Sequence, residues 1–157
     1  FMGLFFKRII FVSLLGFAFI NEGLCQKLSE FNQVDVTAVT KWFQIANVTL
    51  TPSSFLRQGS AYTASYKAEV SPFSFYSETG ILRIPIPESE LQKLANLQAI
   101  LFKGTATRLD GRVRSVKGEV IPKTKSTGIL HITLFYNRFI TLKFDTTYNL
   151  PLASSIK

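Results

Sequence analysis

The chain has 157 residues, a formal net charge of +8, 46% hydrophobic residues and a single cysteine and histidine. That length suits one domain with one core. One cysteine excludes an internal disulfide framework. No glycine-rich phosphate loop, His-Glu-x-x-His or EF-hand loop occurs, so the sequence implies no metal and no cofactor.

Lys7-Arg8 precede an uncharged run, Ile9 to Ile20, that stops at Asn21-Glu22. As a helix the run reaches about 18 Å, at roughly 1.5 Å per residue, against a bilayer core of about 30 Å. A basic start, a short apolar run and small residues near the cut predict a secretory signal peptide over 1–25, removed after Cys25. The alternatives are an uncleaved anchor and lipidation at Cys25. Leu24 and Glu22 argue against lipidation, because a lipoprotein cut wants a small residue before the cysteine. The expected location is therefore exported, periplasmic or extracellular. Residues 26–33 read as a flexible lead, 34–152 as a single β domain and 153–157 as a fraying end. The domain lacks cysteine, so it must be held by packing alone.

Val34 to Val39 and Phe43 to Leu50 read as strands. Tyr62, Ala64, Tyr66, Ala68 and Val70 alternate with Thr63, Ser65, Lys67 and Glu69, which predicts a half-buried strand. Phe73 and Phe75 are expected in the core, with an exposed rim for lipid or a partner as the alternative. Leu82, Ile84 and Ile86 form a short strand whose Pro85 and Pro87 fit an edge. A helix is predicted over 88–96. Pro87 starts it, Glu88 and Glu90 suit its N-terminal end, and Leu91, Leu94 and Ala95 form one apolar stripe.

Two hairpins follow, and their turns set the register. Around Leu109-Asp110-Gly111, a three-residue loop pairs Ile100 with Val120, Phe102 with Gly118 and Gly104 with Val116, keeping the apolar faces together. A two-residue loop would bring charges onto that face. Around Asn137-Arg138-Phe139, a three-residue loop pairs Tyr136 with Ile140, Leu134 with Leu142 and Ile132 with Phe144. The sum is an all-β fold, an antiparallel β-sandwich or closed barrel of seven to nine strands with one short helix. Periodicity does not separate the two closures.

Few residues point to chemistry. The second register sets His131 opposite Asp145, a cross-strand pair read as a surface ionic contact rather than a catalytic base. No Gly-x-Ser-x-Gly accompanies it, and local spacing forces no two carboxylates together, so no catalytic residue is expected and the domain reads as non-enzymatic. The first hairpin sets Lys103 opposite Lys117 and Arg108 opposite Arg112. Like charges placed face to face cost stability. These four residues are the candidate anion-binding group, and the alternative is a solvated face. The charge favours anionic envelope lipid or polysaccharide and peripheral membrane contact. Export disfavours nucleic acid.

The stretch FKGTATRLDGRVRSVKGEV, Phe102 to Val120, is similar to the Gly-containing strands of periplasmic lipocalin-like, polyisoprenoid-binding proteins. The likeness covers only this hairpin and carries no site residue. The expected function is an exported binding or structural module of the cell envelope. The alternative is a lipocalin-like carrier of an apolar or amphiphilic molecule. An empty apolar cavity would favour the carrier and a filled core the module.

Overall fold

The computed structural model describes residues 30–151. The segment 1–25 expected to be a signal peptide, with Cys25, the first part of the expected lead at 26–29 and the expected fraying end at 153–157 lie outside the described residues. The strands are β1 (Gln33–Val36), β2 (Val39–Phe43), β3 (Ala46–Pro52), β4 (Phe55–Gln58), β5 (Ala61–Ser71) and β6 (Glu78–Pro85). Helix α1 (Glu88–Ala95) follows, then β7 (Ile100–Arg108), β8 (Val113–Pro122), β9 (Thr127–Phe135) and β10 (Thr141–Asn149).

Every pairing is antiparallel. From β5 the ladder runs through β6, β7, β8, β9 and β10 to β1 and β4, and returns to β5. This closes an eight-stranded antiparallel barrel with two extra strands, so the closure is a barrel and not a sandwich. The extra hairpin, β2–β3, continues the wall. β3 pairs with β5 beyond the stretch that β4 occupies, and Phe43 of β2 packs edge-on against Phe144 of β10 at 5.5 Å.

Both hairpin registers are as expected. Ile100 faces Val120, Phe102 faces Gly118 and Gly104 faces Val116 across β7–β8. Gly111 takes a φ of 85° and its N–H donates to the Arg108 carbonyl at 2.9 Å, the left-handed closing residue that only glycine adopts without cost. Across β9–β10, Leu134 faces Leu142 and Ile132 faces Phe144. There Asn137 closes the turn, its Oδ1 accepting from the backbone N–H of both Phe139 and Ile140 at 2.8 Å.

Four expectations need correction. The run Phe43 to Leu50 is not one strand, because the chain turns at Gln44-Ile45, with Gln44 at a φ of 54°. The turn carries no Gly or Asn-Gly signal, which hid it. The lead does not stay free to residue 33. Phe31 is buried, its carbonyl accepts from the Tyr62 hydroxyl at 2.5 Å, and Gln33 opens β1. The strand carrying Leu82 is not an edge. β6 pairs on both sides, and Pro85 is tolerated because the ladder to β7 ends at Arg83. Finally, Phe75 is not core, being 75% exposed in a single 3₁₀ turn, Ser74–Tyr76, that leaves the sheet.

Alternation fills the interior. Leu82, Ile84, Phe102, Val116, Val120, Leu130, Ile132, Leu134 and Phe144 all point inward and are buried. Eight strands leave a bore about wide enough for such side chains to fill. Three inward aromatic rings meet a glycine directly across a hairpin: Tyr66 with Gly80, Phe102 with Gly118 and Tyr148 with Gly128. A Cβ at those glycines would lie 2.8, 2.5 and 2.5 Å from a ring carbon and 2.2, 2.1 and 2.4 Å from a backbone carbonyl oxygen, so ring and backbone together occupy the space a side chain would take.

The up-and-down order gives the barrel two unlike ends. The hairpin pole gathers the connections 44–45, 72–77, 109–112 and 136–140. The helix pole gathers the turn 59–60, α1, the turn 123–126 and both ends of the described chain.

Candidate functional site

At the helix pole, α1 lies across the mouth of the barrel. Pro87 precedes it, Glu88 and Glu90 stand in its first turn, and Lys93 Nζ pairs with Glu90 at 2.7 Å on the outer side. Leu91 and Leu94 point into the barrel, Leu91 only 1% exposed. Beneath them is a cavity of about 60 Å³, lined only by apolar and aromatic side chains including Phe31, Phe55, Tyr62, Phe102, Tyr148 and Leu150. One water needs about 10–15 Å³ and at least two polar partners, so the space exceeds a water in size and offers it little to bond. Tyr62, whose hydroxyl is spent on Phe31, has its pKa pushed up to about 12 by burial, with Arg57 opposing. Burial also raises Tyr148.

The hairpin pole is closed differently. Glu78 and Arg114 are 7% and 8% exposed and face each other inside the bore. Arg114 Nη2 donates to Glu78 Oε2 at 2.7 Å, Nη1 donates to the Tyr136 carbonyl, and the guanidinium lies 3.7 Å from the Tyr136 ring centroid. Tyr66 donates to Glu78 Oε1 at 3.0 Å, and Arg108 approaches Oε2 at 3.4 Å. Burial and then the adjacent Glu78 carboxylate push the Tyr66 pKa upward. One buried donor, Arg114 Nε, has no partner among the described residues.

This pair was not foreseen, although alternation marks it. Arg114 is in phase with Val116, Gly118 and Val120, and Glu78 with Gly80, Leu82 and Ile84. An inward Arg and an inward Glu at one end of a barrel call for each other, since a buried charge needs a partner.

The candidate anion-binding residues do not form one site. Lys103 and Lys117 are directly opposite each other on the outer wall, both exposed. Arg108 turns toward Glu78 and Asp110, and Arg112 reaches Asp110 at 3.6 Å, so carboxylates of the chain itself offset the repulsion across that turn. Lys117 Nζ stands 5.1 Å from the Phe135 ring. The lysine pair extends instead along its own row, through Thr133 to Lys143.

His131 and Asp145 are adjacent as the register requires, Nδ1 to Oδ1 at 2.5 Å, with side chains 42% and 63% exposed. Glu119 faces His131 from the other side, and Lys41 stands 3.8 Å from Asp145. The row Glu119, His131, Asp145 and Lys41 runs across the outer wall, half-exposed to exposed. No group of three metal-ligating side chains occurs among the described residues.

Searches against protein-family models, curated proteins and solved structures each return no match to this chain.

Proposed function

We propose that the barrel is a non-enzymatic binding module that receives the end of one apolar chain at its helix pole, as a carrier of an apolar or amphiphilic envelope molecule. The observation that carries this reading is the wholly apolar cavity under α1. An empty space with no polar lining favours hydrocarbon over water. Its volume of about 60 Å³ takes a few methylene groups, so a longer chain would enter by lifting α1, a two-turn helix seated on Leu91 and Leu94. A non-enzymatic role is supported by the placement of the one histidine, engaged with Asp145 on the open wall. Export, expected from the leader, would put the module among envelope lipids, and an N-terminus at Gln26 without an acyl chain on mass spectrometry would test it.

The test of the carrier reading is titration with a fluorescent apolar probe, N-phenyl-1-naphthylamine. Leu91→Ala, which enlarges the cavity, should tighten probe binding. Val120→Phe, which fills it, should weaken binding. A probe that ignores both changes would remove the cavity as the site.

A second reading, affinity of the wall for anionic envelope components, is favoured by the lysine row Lys103, Lys117 and Lys143. Changing Lys103 and Lys117 together to Gln should weaken binding to an anionic polysaccharide such as heparin and reduce its salt dependence. Unchanged binding would leave the row as a solvated face.

A further inference from the structure

The four connections of the hairpin pole share a property that the helix pole lacks. Each carries a large apolar side chain at its apex, held out in water. Ile45 is 69% exposed, Phe75 75%, Leu109 80% and Phe139 85%. A single exposed apolar residue needs no explanation. Four on four neighbouring loops at one end of a barrel do. At the other pole the short turns read Gln58-Gly59-Ser60 and Lys123-Thr124-Lys125-Ser126, wholly polar. Among the described residues near that pole, Leu97 just past α1 is half exposed, and Leu56 and Leu101 stand out from the adjoining strands at 50% and 76%, but neither short turn carries an apolar side chain.

Turn formation does not require these side chains. Gly111 and the Asp110 carboxylate, which accepts from Arg112 N–H at 3.1 Å, make the first turn, and Asn137 makes the second. Leu109 and Phe139 are thus left over. Nor are they used by the core, which Glu78 and Arg114 close from within.

Cations stand beside the apices. Arg112 has a side chain 75% exposed, its Nε 3.6 Å from Asp110 with the rest of the guanidinium open to water, and the Arg138 guanidinium lies 5.5 Å from the Phe139 ring. The one tryptophan, Trp42, is 59% exposed two residues from the Gln44-Ile45 turn. Separate apolar apices, two of them with an arginine in the same loop, on a chain of net charge +8, match the two requirements of a reversible membrane contact, apolar insertion and attraction to anionic headgroups. A protein partner would more commonly select one continuous patch. The wall itself cannot face hydrocarbon, since its outward rows carry Lys103, Lys117, Lys143, Glu119 and Asp145.

We infer that the hairpin pole docks end-on onto an anionic phospholipid bilayer, with Ile45, Phe75, Leu109 and Phe139 entering the headgroup boundary and Arg112 and Arg138 meeting phosphate. The site is separate from the apolar cavity and does not depend on the carrier reading.

Trp42 is the reporter, being the only tryptophan in the chain. The full chain is mixed with vesicles of phosphatidylglycerol and phosphatidylethanolamine, or of phosphatidylcholine alone, some with brominated acyl chains. Docking predicts a blue shift of Trp42 emission and quenching by bromine with anionic vesicles, weaker as salt rises. Leu109→Ser with Phe139→Ser should lower the affinity by about tenfold or more, the loss expected when two large side chains no longer leave water. Arg112→Gln with Arg138→Gln, which touches no buried group, should weaken binding to anionic vesicles and remove the salt dependence. The fluorescence readout separates this contact from any made by residues 1–29, which would pellet the chain without quenching Trp42. Absence of quenching overturns the inference. So does an apical double variant that binds like wild type, or a loss produced by Lys103→Gln with Lys117→Gln but not by the apical changes. A wild-type dimer that becomes a monomer in the apical variant, with no vesicle binding, would assign the pole to a second copy instead.

Discussion

The two poles close the same cylinder with opposite materials. At the helix pole Leu91 and Leu94 cover an apolar space that no described residue fills. At the hairpin pole Glu78, Arg114 and Tyr66 fill the bore with charge and hydrogen bonds. The first closure is non-directional and opens at the cost of exposing two leucines. The second is directional, and it opens only if a carboxylate and a guanidinium are separated in a poorly solvated place. A module that admits a ligand from one end and docks by the other would be built this way, with the loose closure at the entrance and the rigid one behind the contact surface.

The contrast is sharpest when one partner of the ion pair is removed. Glu78→Ala should cost about 3–5 kcal/mol in urea unfolding, because Arg114 would remain buried without its carboxylate. Glu78→Leu with Arg114→Met should recover most of that loss, since an apolar pair of similar volume is often as stable as a buried ion pair. If the double variant is as unstable as the single one, the pole depends on the charges themselves and not on filling.

The corresponding change at the other end is smaller. Leu91→Ala should cost about 2–3 kcal/mol, toward the lower part of the range for buried leucine, because the side chain already borders a void and loses fewer neighbours. A loss equal to that of Glu78→Ala would mean the two closures are energetically alike.

Alkaline titration compares the poles a third way. Tyr62 at the helix pole is raised to about 12, and Tyr66 at the hairpin pole is also raised. Unfolded tyrosine ionises near pH 10, so above that pH the unfolded state binds fewer protons than the folded one. Stability is therefore full below about pH 10 and falls as pH rises toward the folded values, by up to about 1.4 kcal/mol per pH unit for each tyrosine. Tyr62→Phe should reduce the alkaline slope. A slope unchanged by that substitution would place the titration elsewhere.

The smallest effect belongs to the wall between the poles. Asp145→Asn should change stability by no more than about 1 kcal/mol, because its pair with His131 is exposed and screened. A larger loss in thermal unfolding would show that the polar row Glu119, His131, Asp145 and Lys41 acts as a unit.

What the sequence disclosed follows from which forces are local. Strict alternation and turn residues such as Gly111 and Asn137 specified both C-terminal hairpins to the residue, because register within a hairpin depends on neighbours in the chain. The β2–β3 turn has no sequence signature, because Gln44-Ile45 bends without glycine or asparagine. Phe75 was expected inside because hydrophobicity suggests burial, whereas the six residues joining β5 to β6 leave the sheet before reaching it. The Glu78–Arg114 pair spans β6 and β8, so each residue looked like an isolated charge in its own segment. The cavity belongs to no segment at all. It exists only where α1, Phe31, Leu150 and several strands meet.

Alternation also leaves an ambiguity that the glycines resolve. A strand slid by two residues keeps every apolar side chain inside, so patterning alone does not forbid the shift. Sliding β8 by two against β7 would set Phe102 opposite Val116 or Val120 instead of Gly118, and put a branched side chain where the ring now lies. The same holds for Tyr66 on Gly80 and Tyr148 on Gly128, in two further hairpins. Each ring is a tooth and each glycine its notch. The alignment of the barrel is thus encoded partly by side chains that are missing, and filling one notch, as in Gly118→Val, should displace the Phe102 ring and weaken this register although the substitution adds hydrophobicity.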